Sequence, residues 1–487
     1  MKISLAFLVI GFVVVFSSRV EALHGGGSTP TSLVAGSDES PTFPFELFDT
    51  DGIPAQRYRE RRKALLARRS EKSLVLLFSA DVRNRQNDVD YEYRQNSNFL
   101  YLTGGTEASC ALVLIPGGAV IDGVRCQEVY FVRPRDTRRE AWTGVTMGPN
   151  EAKDVLGVAH AVDYSRLTSL VDSLLAQRDT LYIASGLPTG SLRNPLLSSP
   201  LSAEQAIKDK LHQNHPDLYI RTSLSDLAGM REIKDDEEIR LLQKAINISI
   251  EGHLATIRAA IPGVKEYQLE AVMEHGFKYN GAEDVGYPSI VGSGYNACIL
   301  HYQSNRRTTK LGELVLADCG AEYHGYTADI TRTFPVSGQY TPEQRTIYNI
   351  VLEAQDSGIA ACRSGNPFRQ PHRAAMSVVS RRLMEIGVIK EEADAAKYFM
   401  HGTSHYLGLD VHDAGTGSPL KPRVVLTVEP GIYIPKGSSC DARWWNIGVR
   451  IEDDILVTEG DPINMSGALP RKAEEIEALM RNNGKTE

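Results

Sequence analysis

The apolar residues of the chain follow two patterns, short dense runs and longer stretches with helical periodicity. The short runs SLVLLFSA from Ser73, ASCALVLIPG from Ala108 and QEVYFVRP from Gln127 predict buried strands. The stretch RLTSLVDSLLAQ from Arg166 spaces its apolar residues as an amphipathic helix does. Because strands and helices alternate here, the first part of the chain is predicted to form an α/β domain.

The second part of the chain groups its elements differently. MREIKDDEEIRLLQKAINISIEGHLATI, from Met230, predicts one long helix with an acidic first turn, which the helix dipole favours. Paired apolar runs joined by short turns then predict β-hairpins, and RKAEEIEALMRNN from Arg471 predicts a closing helix. Hairpins with helices grouped around them indicate an α+β domain rather than a doubly wound sheet. The two domains are assigned to residues 46–225 and 226–487.

The first residues have the pattern of an export signal. Lys2 is followed by LAFLVIGFVVVF, an apolar run of about a dozen residues that is too short for an ordinary membrane span. V-E-A, ending at Ala22, fits a cleavage site, so residues 1–22 are predicted to be a signal peptide. The mature protein is then periplasmic or secreted, without a stable membrane span; an uncleaved N-terminal anchor is the alternative. Residues 23–45, rich in Gly, Ser, Thr and Pro, are predicted to be a flexible leader.

Composition and charge disfavour several functional classes. The 487 residues carry a net charge of −8 and no Lys/Arg-rich run free of acidic neighbours, which argues against nucleic-acid binding. The apolar fraction of 42% and the charged fraction of 23% are ordinary for a soluble globular protein. The six cysteines include no C-x-x-C pair, so neither a zinc–thiolate site nor a disulfide scaffold is indicated. Isolated thiols, with at most one bridge, are expected.

One predicted hairpin carries two acids in an apolar setting. It is LVLADCGAEYHGYTADITRTF, from Leu314, with a short turn at its H-G pair. If the turn is centred just before His324, Asp318 lies directly opposite Asp329, with Cβ atoms about 5 Å apart. Two like charges so placed need a shared proton or a bound cation. A register shifted by one residue would send one acid to solvent, and the hairpin by itself leaves both alternatives open.

Two glutamates stand in similar settings. Glu429 ends an apolar run just before the Pro-Gly turn of VVLTVEPGIYIP, and Glu452 lies within NIGVRIEDDILVT, two residues after Arg450. Each has an ordinary alternative explanation: a surface carboxylate for Glu429, and an ion pair with Arg450 or a solvated turn for Glu452. Four acids in apolar strand contexts, in one domain with a histidine cluster, are harder to explain separately than as one metal site.

The histidine cluster is HGTSHYLGLDVHD. His401 and His405 have the spacing of the HExxH zinc-protease motif, but Gly402 stands where that motif has its glutamate. Gly402, Thr403 and Gly408 make a poor helix, so an irregular turn running into a strand, YLGLDVH, is predicted. One of the three histidines has an ordinary alternative as a hydrogen-bonded core imidazole. One imidazole with four carboxylates is an oxygen-rich donor set that suits two manganese, cobalt or iron ions more than a single zinc ion.

These segments together resemble aminopeptidase P, the Xaa-Pro aminopeptidase family of prolidase-like "pita-bread" metallopeptidases. The matching pieces occur in the family's order: H-Y at His301, the hairpin running on as DITRTF, HGTSHYLGLDVHD, TVEPGIYI and IGVRIEDD. YEYRQNSNFLYLTG from Tyr91 and PRDTRREAWTG from Pro134 extend the resemblance into the first domain. The resemblance covers nearly everything after the leader. It implies an α+β pita-bread catalytic domain preceded by a smaller α/β domain.

The resemblance also implies five metal ligands. Asp318 would bind one divalent ion, His405 and Glu429 would bind the other, and Asp329 and Glu452 would bridge the two. A hydroxide bridging the metals would attack the carbonyl carbon that precedes proline, and Glu429 would accept the proton. Manganese is the expected metal, with cobalt, zinc or iron as alternatives.

The remaining matched residues imply a substrate site. His412 would support the carbonyl and the tetrahedral intermediate. His301 and His401 would line the pocket for the proline ring, and Tyr433 would belong to the substrate-binding residues. Arg450 would lie beside the bridging glutamate. All but Tyr433 are expected to contribute to catalysis.

The activity implied by the resemblance is release of the N-terminal residue from peptides with proline in second position. A pocket shaped for the pyrrolidine ring could select this tertiary amide, which lacks an N–H and has a restricted φ. Prolidase, with the same site and a preference for dipeptides, is the near alternative. A metal-free pita-bread binding module is a remote one, since such proteins should lack a ligand. The family pattern also implies a homo-oligomer, a dimer or tetramer, supported by the first domain.

Overall fold

The computed structural model describes residues 44–184 and 203–481. The predicted signal peptide, its cleavage site at Ala22 and nearly all of the predicted leader lie outside the described residues. Among the described residues, no helix is both long enough and apolar enough to cross a membrane.

The structure alternates helices and strands along the whole described chain. The α-helices are α1 (Ala55–Leu66), α2 (Ser97–Thr103), α3 (Thr137–Thr143), α4 (Pro149–Leu156), α5 (Leu167–Leu175), α6 (Ala203–Asn214), α7 (Leu224–Glu232), α8 (Asp236–Ala259), α9 (Glu266–Tyr279), α10 (Pro342–Ala360), α11 (Gln370–Glu385) and α12 (Ala473–Arg481). The strands are β1 (Ser73–Phe78), β2 (Asn84–Gln86), β3 (Val89–Asp90), β4 (Ala111–Ile121), β5 (Val124–Val132), β6 (Ala161–Asp163), β7 (Thr180–Ile183), β8 (Tyr219–Thr222), β9 (Asp284–Val285), β10 (Ile290–Ser293), β11 (Leu314–Asp318), β12 (Ala321–Tyr323), β13 (Tyr326–Thr327), β14 (Thr331–Pro335), β15 (Val425–Val428), β16 (Gly431–Ile434), β17 (Ile447–Arg450), β18 (Asp453–Leu456) and β19 (Ile463–Asn464).

The first domain is built on a six-stranded mixed sheet in the order β6-β5-β4-β1-β7-β8. β4 pairs antiparallel with β1 and β5, whereas β7 pairs parallel with β1 and β8. The predicted strand runs form β1, β4 and β5, and the predicted amphipathic helix forms α5. Leu74, Val113, Phe131 and Leu181 fill an apolar core on one face of the sheet. The α/β prediction is confirmed.

The long helix predicted at the domain junction is in fact two helices. α7 ends at Glu232, and α8 begins at Asp236. The Asp235 carboxylate accepts from the backbone N–H groups of Glu237 and Glu238, and the Glu238 carboxylate accepts from the N–H of Asp235. A cap of this kind stabilises a helix by about 1 kcal/mol. The continuous apolar pattern hid this start, and the predicted acidic first turn belongs to α8 alone.

Two long hairpins form the centre of the second domain, and both are interrupted. In the first, β11 pairs with β14 and β12 with β13, and the strands break at residues 319–320 and 328–330. In the second, β15 pairs with β18 and β16 with β17, with breaks at residues 429–430 and 451–452. Helices α8 to α11 contribute to one apolar core with β11, β12, β14, β16 and β17. The α+β prediction is confirmed.

The register of the first hairpin differs from the predicted one by two residues. His324 and Gly325 form the turn, both in the left-handed region with φ of 49° and 79°. Asp318 therefore pairs with Thr331 and not with Asp329. A shift of two residues leaves each side chain on its own face of the sheet, whereas a shift of one would have reversed it.

One apolar core is shared by the two domains. It joins Leu77 and Leu102 of the first domain to Leu242 and Ile250 of α8 and to Leu409 of the segment HGTSHYLGLDVHD. The segment that carries the predicted histidines therefore packs against the first domain.

The cysteines are not paired. All six are free thiols, and Cys110, Cys126, Cys319 and Cys362 are buried. Burial raises the pKa of Cys362 to about 12, so this thiol behaves as a small apolar group. The expectation of isolated thiols is confirmed, and the one bridge allowed by the sequence is absent.

Candidate metal centre

A cavity of about 530 Å³ lies at the breaks of the two hairpins. Its lining includes all five predicted metal ligands, namely Asp318, Asp329, His405, Glu429 and Glu452. The lining also includes four of the other predicted site residues, His301, His401, His412 and Arg450. The structure thus brings these side chains together, while the role of each one stays a prediction.

Each predicted carboxylate stands at an interruption of a strand. Asp318 is the last residue of β11, and Asp329 lies in the gap between β13 and β14. Glu429 separates β15 from β16, and Glu452 separates β17 from β18. A break in a ladder lets the backbone redirect a side chain, and such breaks are frequent beside active sites. The sequence interpretation of Glu452 as a residue within a strand is corrected accordingly.

The two aspartates meet at Tyr287, a residue that the sequence analysis missed. Its hydroxyl oxygen lies 2.6 Å from Oδ1 of Asp318 and 2.6 Å from Oδ1 of Asp329. One hydroxyl has a single proton and can donate to only one of them. Burial, followed by the charge of Asp318, raises the pKa of Asp329 well above its ordinary value. Arg450 pairs with Asp318, so the ion pair that the sequence allowed between Arg450 and Glu452 does not form.

Local pairing places His405 beside the carboxylates. The N–H of Glu429 donates to the carbonyl of Thr403, which lays the two segments side by side. Nδ1 of His405 lies 3.1 Å from the carbonyl oxygen of Tyr406, which can only accept, so Nδ1 carries the ring proton. Nε2 is therefore available as a ligand. It lies 3.3 Å from Oδ2 of Asp329 and 3.5 Å from Oε1 of Glu429.

Glu452 completes a compact triad of ligand atoms. Asp329, His405 and Glu452 each offer one, and these atoms lie within 4.8 Å of one another. The Thr331 hydroxyl donates to Oε2 of Glu452 at 2.6 Å and holds that carboxylate in place. Burial and the charge of Asp329 raise the pKa of Glu452 well above its ordinary value. Burial and the charge of Glu452 likewise raise the pKa of Glu429 to about 8.

The donor set fits a divalent metal ion. Four carboxylates face one buried guanidinium, that of Arg450, so their charges are not balanced by protein groups alone. Carboxylates packed in this way remain ionised only beside a cation. Oxygen donors with one imidazole suit hard and borderline divalent ions. Elsewhere in the described ranges, no group of three such side chains has this spacing.

A chain of hydrogen bonds runs behind His401. Nη1 of Arg450 donates to the Tyr433 hydroxyl at 2.8 Å, and that hydroxyl donates to Nε2 of His401 at 2.8 Å. Nδ1 of His401 donates to the carbonyl of Gly402 at 2.7 Å. Burial, helped by the charge of Arg450, lowers the pKa of His401 to about 4, so its ring is neutral. Tyr433 is fully buried, absent from the cavity lining and in contact with His401 from behind, and its assignment to the substrate-binding residues stays a prediction.

The segment HGTSHYLGLDVHD is irregular throughout. HGTSH forms no helix, as predicted, but the strand expected over YLGLDVH is wrong, because only one isolated bridge forms, at Tyr406. The N–H of Asp413 donates back to the carbonyl of Tyr406 at 2.9 Å, which closes the segment into a loop. This loop brings the rings of His405 and His412 into contact, tilted by 37° with centroids 4.1 Å apart. Burial and the charge of His405 lower the pKa of His412.

Two family patterns match the chain. Residues 58–182 match the aminopeptidase P N-terminal domain, and residues 240–459 match metallopeptidase family M24. Both ranges lie inside the domains assigned from the sequence, whose boundary at residues 225 and 226 stays a prediction. The Xaa-Pro aminopeptidase of Escherichia coli K12 is 37% identical over 444 residues, which cover 88% of this chain and 98% of that protein.

Solved structures agree with these matches. The aminopeptidase PepP of Pseudomonas aeruginosa superposes with a TM-score of 0.81 at 34% identity, covering 89% of this chain and 100% of that one. Zn-substituted E. coli aminopeptidase P in complex with product has a TM-score of 0.80 at 36% identity, with the same coverage. The matches confirm the pita-bread domain behind an α/β domain and favour aminopeptidase P over prolidase. The chain belongs to the aminopeptidase P group of metallopeptidase family M24.

Proposed function

We propose that this protein releases the N-terminal residue from peptides that have proline in second position. One observation carries the proposal: four carboxylates and His405 converge on one cavity, in a chain similar over 88% of its length to an Xaa-Pro aminopeptidase. Prolidase activity is the alternative that the experiment below separates from it.

Two divalent ions, with manganese as the native metal, are proposed to occupy the carboxylate cluster. Four carboxylates facing the one guanidinium of Arg450 leave more negative charge than a single divalent ion neutralises. The donors are mainly oxygen atoms, which favours manganese over zinc. A Zn-substituted form of the E. coli relative exists, so zinc, like cobalt and iron, is kept as an alternative.

The proposed mechanism divides the proton and charge transfers among three side chains. Bound divalent ions supply Lewis-acid activation of a water molecule and of the scissile carbonyl. Glu429 accepts the proton of the attacking water and returns it to the proline nitrogen as the C–N bond breaks. His412 is neutral and donates a hydrogen bond to the carbonyl oxygen as negative charge develops there. Arg450 holds Asp318 and balances part of its charge.

The proline ring is proposed to sit among the apolar residues of the cavity. Ile290, Leu300 and Val411 line it together with His301 and His401. The neutral ring of His401, held from behind by Tyr433, offers a flat apolar face to the pyrrolidine. A proline nitrogen has no N–H that would need an acceptor in this pocket.

Export and self-association complete the proposal. The apolar run after Lys2 supports export with cleavage near Ala22. A homo-oligomer, dimer or tetramer, is supported by large aromatic side chains on the first domain that are exposed in the single chain: Trp142 is 90% exposed and Phe48 is 87% exposed.

The test uses the mature chain, beginning at Leu23, purified and stripped of metal. It is given an Xaa-Pro-Pro tripeptide, an Xaa-Pro dipeptide and, as a matched control, an Xaa-Ala-Pro tripeptide, each with manganese or with a chelator. Release of the first amino acid is measured by chromatography, and bound metal is counted by elemental analysis.

We expect release from the Xaa-Pro-Pro tripeptide with manganese, none with the chelator, and little from the alanine peptide. Release from the dipeptide alone would replace the proposal with prolidase. If none of the peptides is cleaved and no metal is bound, the proposed activity is wrong and a metal-free binding module takes its place. One ion per chain at full activity would overturn the two-ion part.

A further inference from the structure

The loop that carries His412 is held by charged groups that the proposed reaction does not use. Asp410 precedes His412 by two residues, and Asp413 follows it directly. The Asp413 side chain is 1% exposed; it accepts from Nζ of Lys234 at 2.8 Å and also from Arg231. Nη2 of the same arginine lies 2.7 Å from Oδ2 of Asp410. Asp410 and Asp413, on either side of His412, are therefore bound to α7 and to the turn that follows this helix.

The first domain holds the same loop from the other side. The Ser97 hydroxyl donates to Oδ1 of Asp410 at 2.6 Å. Asn98 accepts from Nη1 of Arg231 at 2.8 Å, so the arginine itself is oriented by the first domain. Arg94 donates to the backbone carbonyl of the residue before Asp410. Three neighbouring residues of the segment YRQNSNF thus contact the loop or the arginine that holds it.

The junction between α7 and α8 holds the far end of the loop. Glu232 is fully buried and accepts from the Thr416 hydroxyl at 2.6 Å. The N–H of Lys234 donates to the carbonyl of Arg423 at 2.9 Å. The junction therefore contacts the chain at Asp413, Thr416 and Arg423, all of which follow His412.

A buried network of this kind defines position closely. Arg231 and Lys234 are almost fully buried and are balanced by Asp410 and Asp413. Displacing Asp413 would leave an uncompensated charge in the interior, which is far less favourable than a displaced apolar contact. Asp410 is 43% exposed and adds hydrogen bonds from Arg231 and Ser97 to the same network. His412 lies between Asp410 and Asp413 in the chain, so the contacts that hold these two residues also hold His412 in place. Catalytic groups are sensitive to such placement, since an error of about 1 Å can reduce a rate about 100-fold.

We propose that Asp410, held by Ser97 of the first domain and Arg231 of α7, is a positioning residue for His412. The first domain then takes part in catalysis by setting the place of a histidine in the second domain. The inference rests on the proposed function for the role of His412, and on the contacts alone for the placement of the loop.

The test compares Asp410→Asn and Ser97→Ala with the matched control Asp122→Asn. Asp410 and Asp122 have similar exposure, 43% and 45%, and each accepts from an arginine. The control residue lies in the first domain, paired with Arg166 and away from the cavity. For Asp410→Asn we expect kcat to fall about 10-fold, and for Ser97→Ala about threefold, with KM and bound metal unchanged. The control should keep wild-type kcat.

A second measurement separates positioning from general loss of structure. In the His412→Ala background, Asp410→Asn should cause no further fall in kcat, because the group it positions is gone. A fall of equal size in that background would overturn the proposal, as would wild-type kcat in Asp410→Asn or a loss of bound metal that accounts for the lower rate.

A third measurement does not depend on activity. Amide hydrogen exchange of residues 405–413 in the metal-free protein should be faster in Asp410→Asn and Ser97→Ala than in wild type and in Asp122→Asn. If wild type cleaves no Xaa-Pro peptide, the proposed function fails, and exchange alone then decides whether Asp410 places the loop. Equal exchange in all four proteins would overturn that placement.

Discussion

A buried carboxylate of the first domain and the carboxylates at the cavity of the second domain stand in opposite settings. In the first domain, Glu128 lies within β5, and the strand continues on both sides of it. Its carboxylate receives two hydrogen bonds from Arg62, at 2.7 and 3.1 Å, so its charge is balanced by protein. In the second domain, Asp329, Glu429 and Glu452 stand at strand breaks and face one another. Burial of an acid is therefore not by itself a sign of function. An acid at a strand break, without a positively charged side chain paired to it, is the better sign.

The largest expected effect comes from removing one of the unbalanced acids. Asp329→Asn keeps the size of the side chain but removes a charge from the centre of the triad. If this residue bridges the metals, kcat should fall by about 1,000-fold or more and bound metal should fall with it. Turnover of an Xaa-Pro-Pro tripeptide and elemental analysis measure the two effects. Retained activity together with retained metal would refute the bridging role.

The matched change in the first domain should act on stability alone. Glu128→Gln is also a charge-removing change of nearly constant size, and it leaves the buried guanidinium of Arg62 without its counter-ion. Breaking a buried pair in this way costs about 3 kcal/mol in the free energy of unfolding. Urea denaturation should record that loss, while kcat per folded molecule stays at the wild-type value. A fall in kcat as large as that of Asp329→Asn would contradict the assignment of Glu128 to stability and Asp329 to catalysis.

A smaller effect should come from Tyr287, which joins the two aspartates. Tyr287→Phe removes only the hydroxyl that lies 2.6 Å from both carboxylates. We expect metal affinity to fall about 10- to 100-fold, as for other groups that orient metal ligands. Tyr326→Phe is the control, because that buried hydroxyl donates to Glu238 outside the cavity. A calorimetric titration with metal should show a lower affinity for Tyr287→Phe than for Tyr326→Phe. Equal affinities would show that Tyr287 does not support the metal ligands.

The smallest effect concerns the tip of the broken hairpin. His324 lies 2.9 Å from Asp51 and 2.8 Å from Glu283. Burial alone would lower its pKa, but the hydrogen bonds to Glu283 and Asp51 raise it from 6.5 to about 9. A raised histidine pKa contributes stability that is complete below the unfolded value and lost as the pH rises through the folded value.

Wild type should therefore lose about 1 kcal/mol of unfolding free energy as the pH rises from 6.5 to above 9, a figure reduced for solvent screening. In His324→Gln this part of the pH dependence should disappear. Urea denaturation across the pH range measures it, and identical profiles for the two proteins would show that the tip carries no charge-linked stability.

Much of the site could be predicted from residue types in local context. An acid inside an apolar run is unfavourable unless something balances it, and this local argument was enough to single out Asp318, Asp329, Glu429 and Glu452. The hairpins were predicted from paired apolar runs and a short turn. The resemblance to aminopeptidase P then connected these acids with His405, and the structure brings all five to one cavity.

What sequence reasoning missed depends on contacts between distant segments. Tyr287 lies 31 residues from Asp318 and 42 from Asp329, in a stretch without a motif to mark it. Tyr433 belongs to a matching motif, yet packing turns it behind His401. The apolar pattern of YLGLDVH predicts a strand, but a hydrogen bond from the N–H of Asp413 to the carbonyl of Tyr406 makes this segment a loop. No local pattern reports these outcomes, because each one is a choice among partners that only the fold supplies.

The sequence by itself determined the two domain classes, the hairpins and the chemical types of the donors, because these follow from periodicity and from the cost of burying charge. Tertiary structure decided where the strands break, which hydroxyl joins the two aspartates and how the loop of His412 is held. These depend on long-range packing, in which a shift of two residues or a single arginine such as Arg231 changes what a side chain meets. The local sequence therefore determines which residue types form the site, and long-range packing determines their geometry.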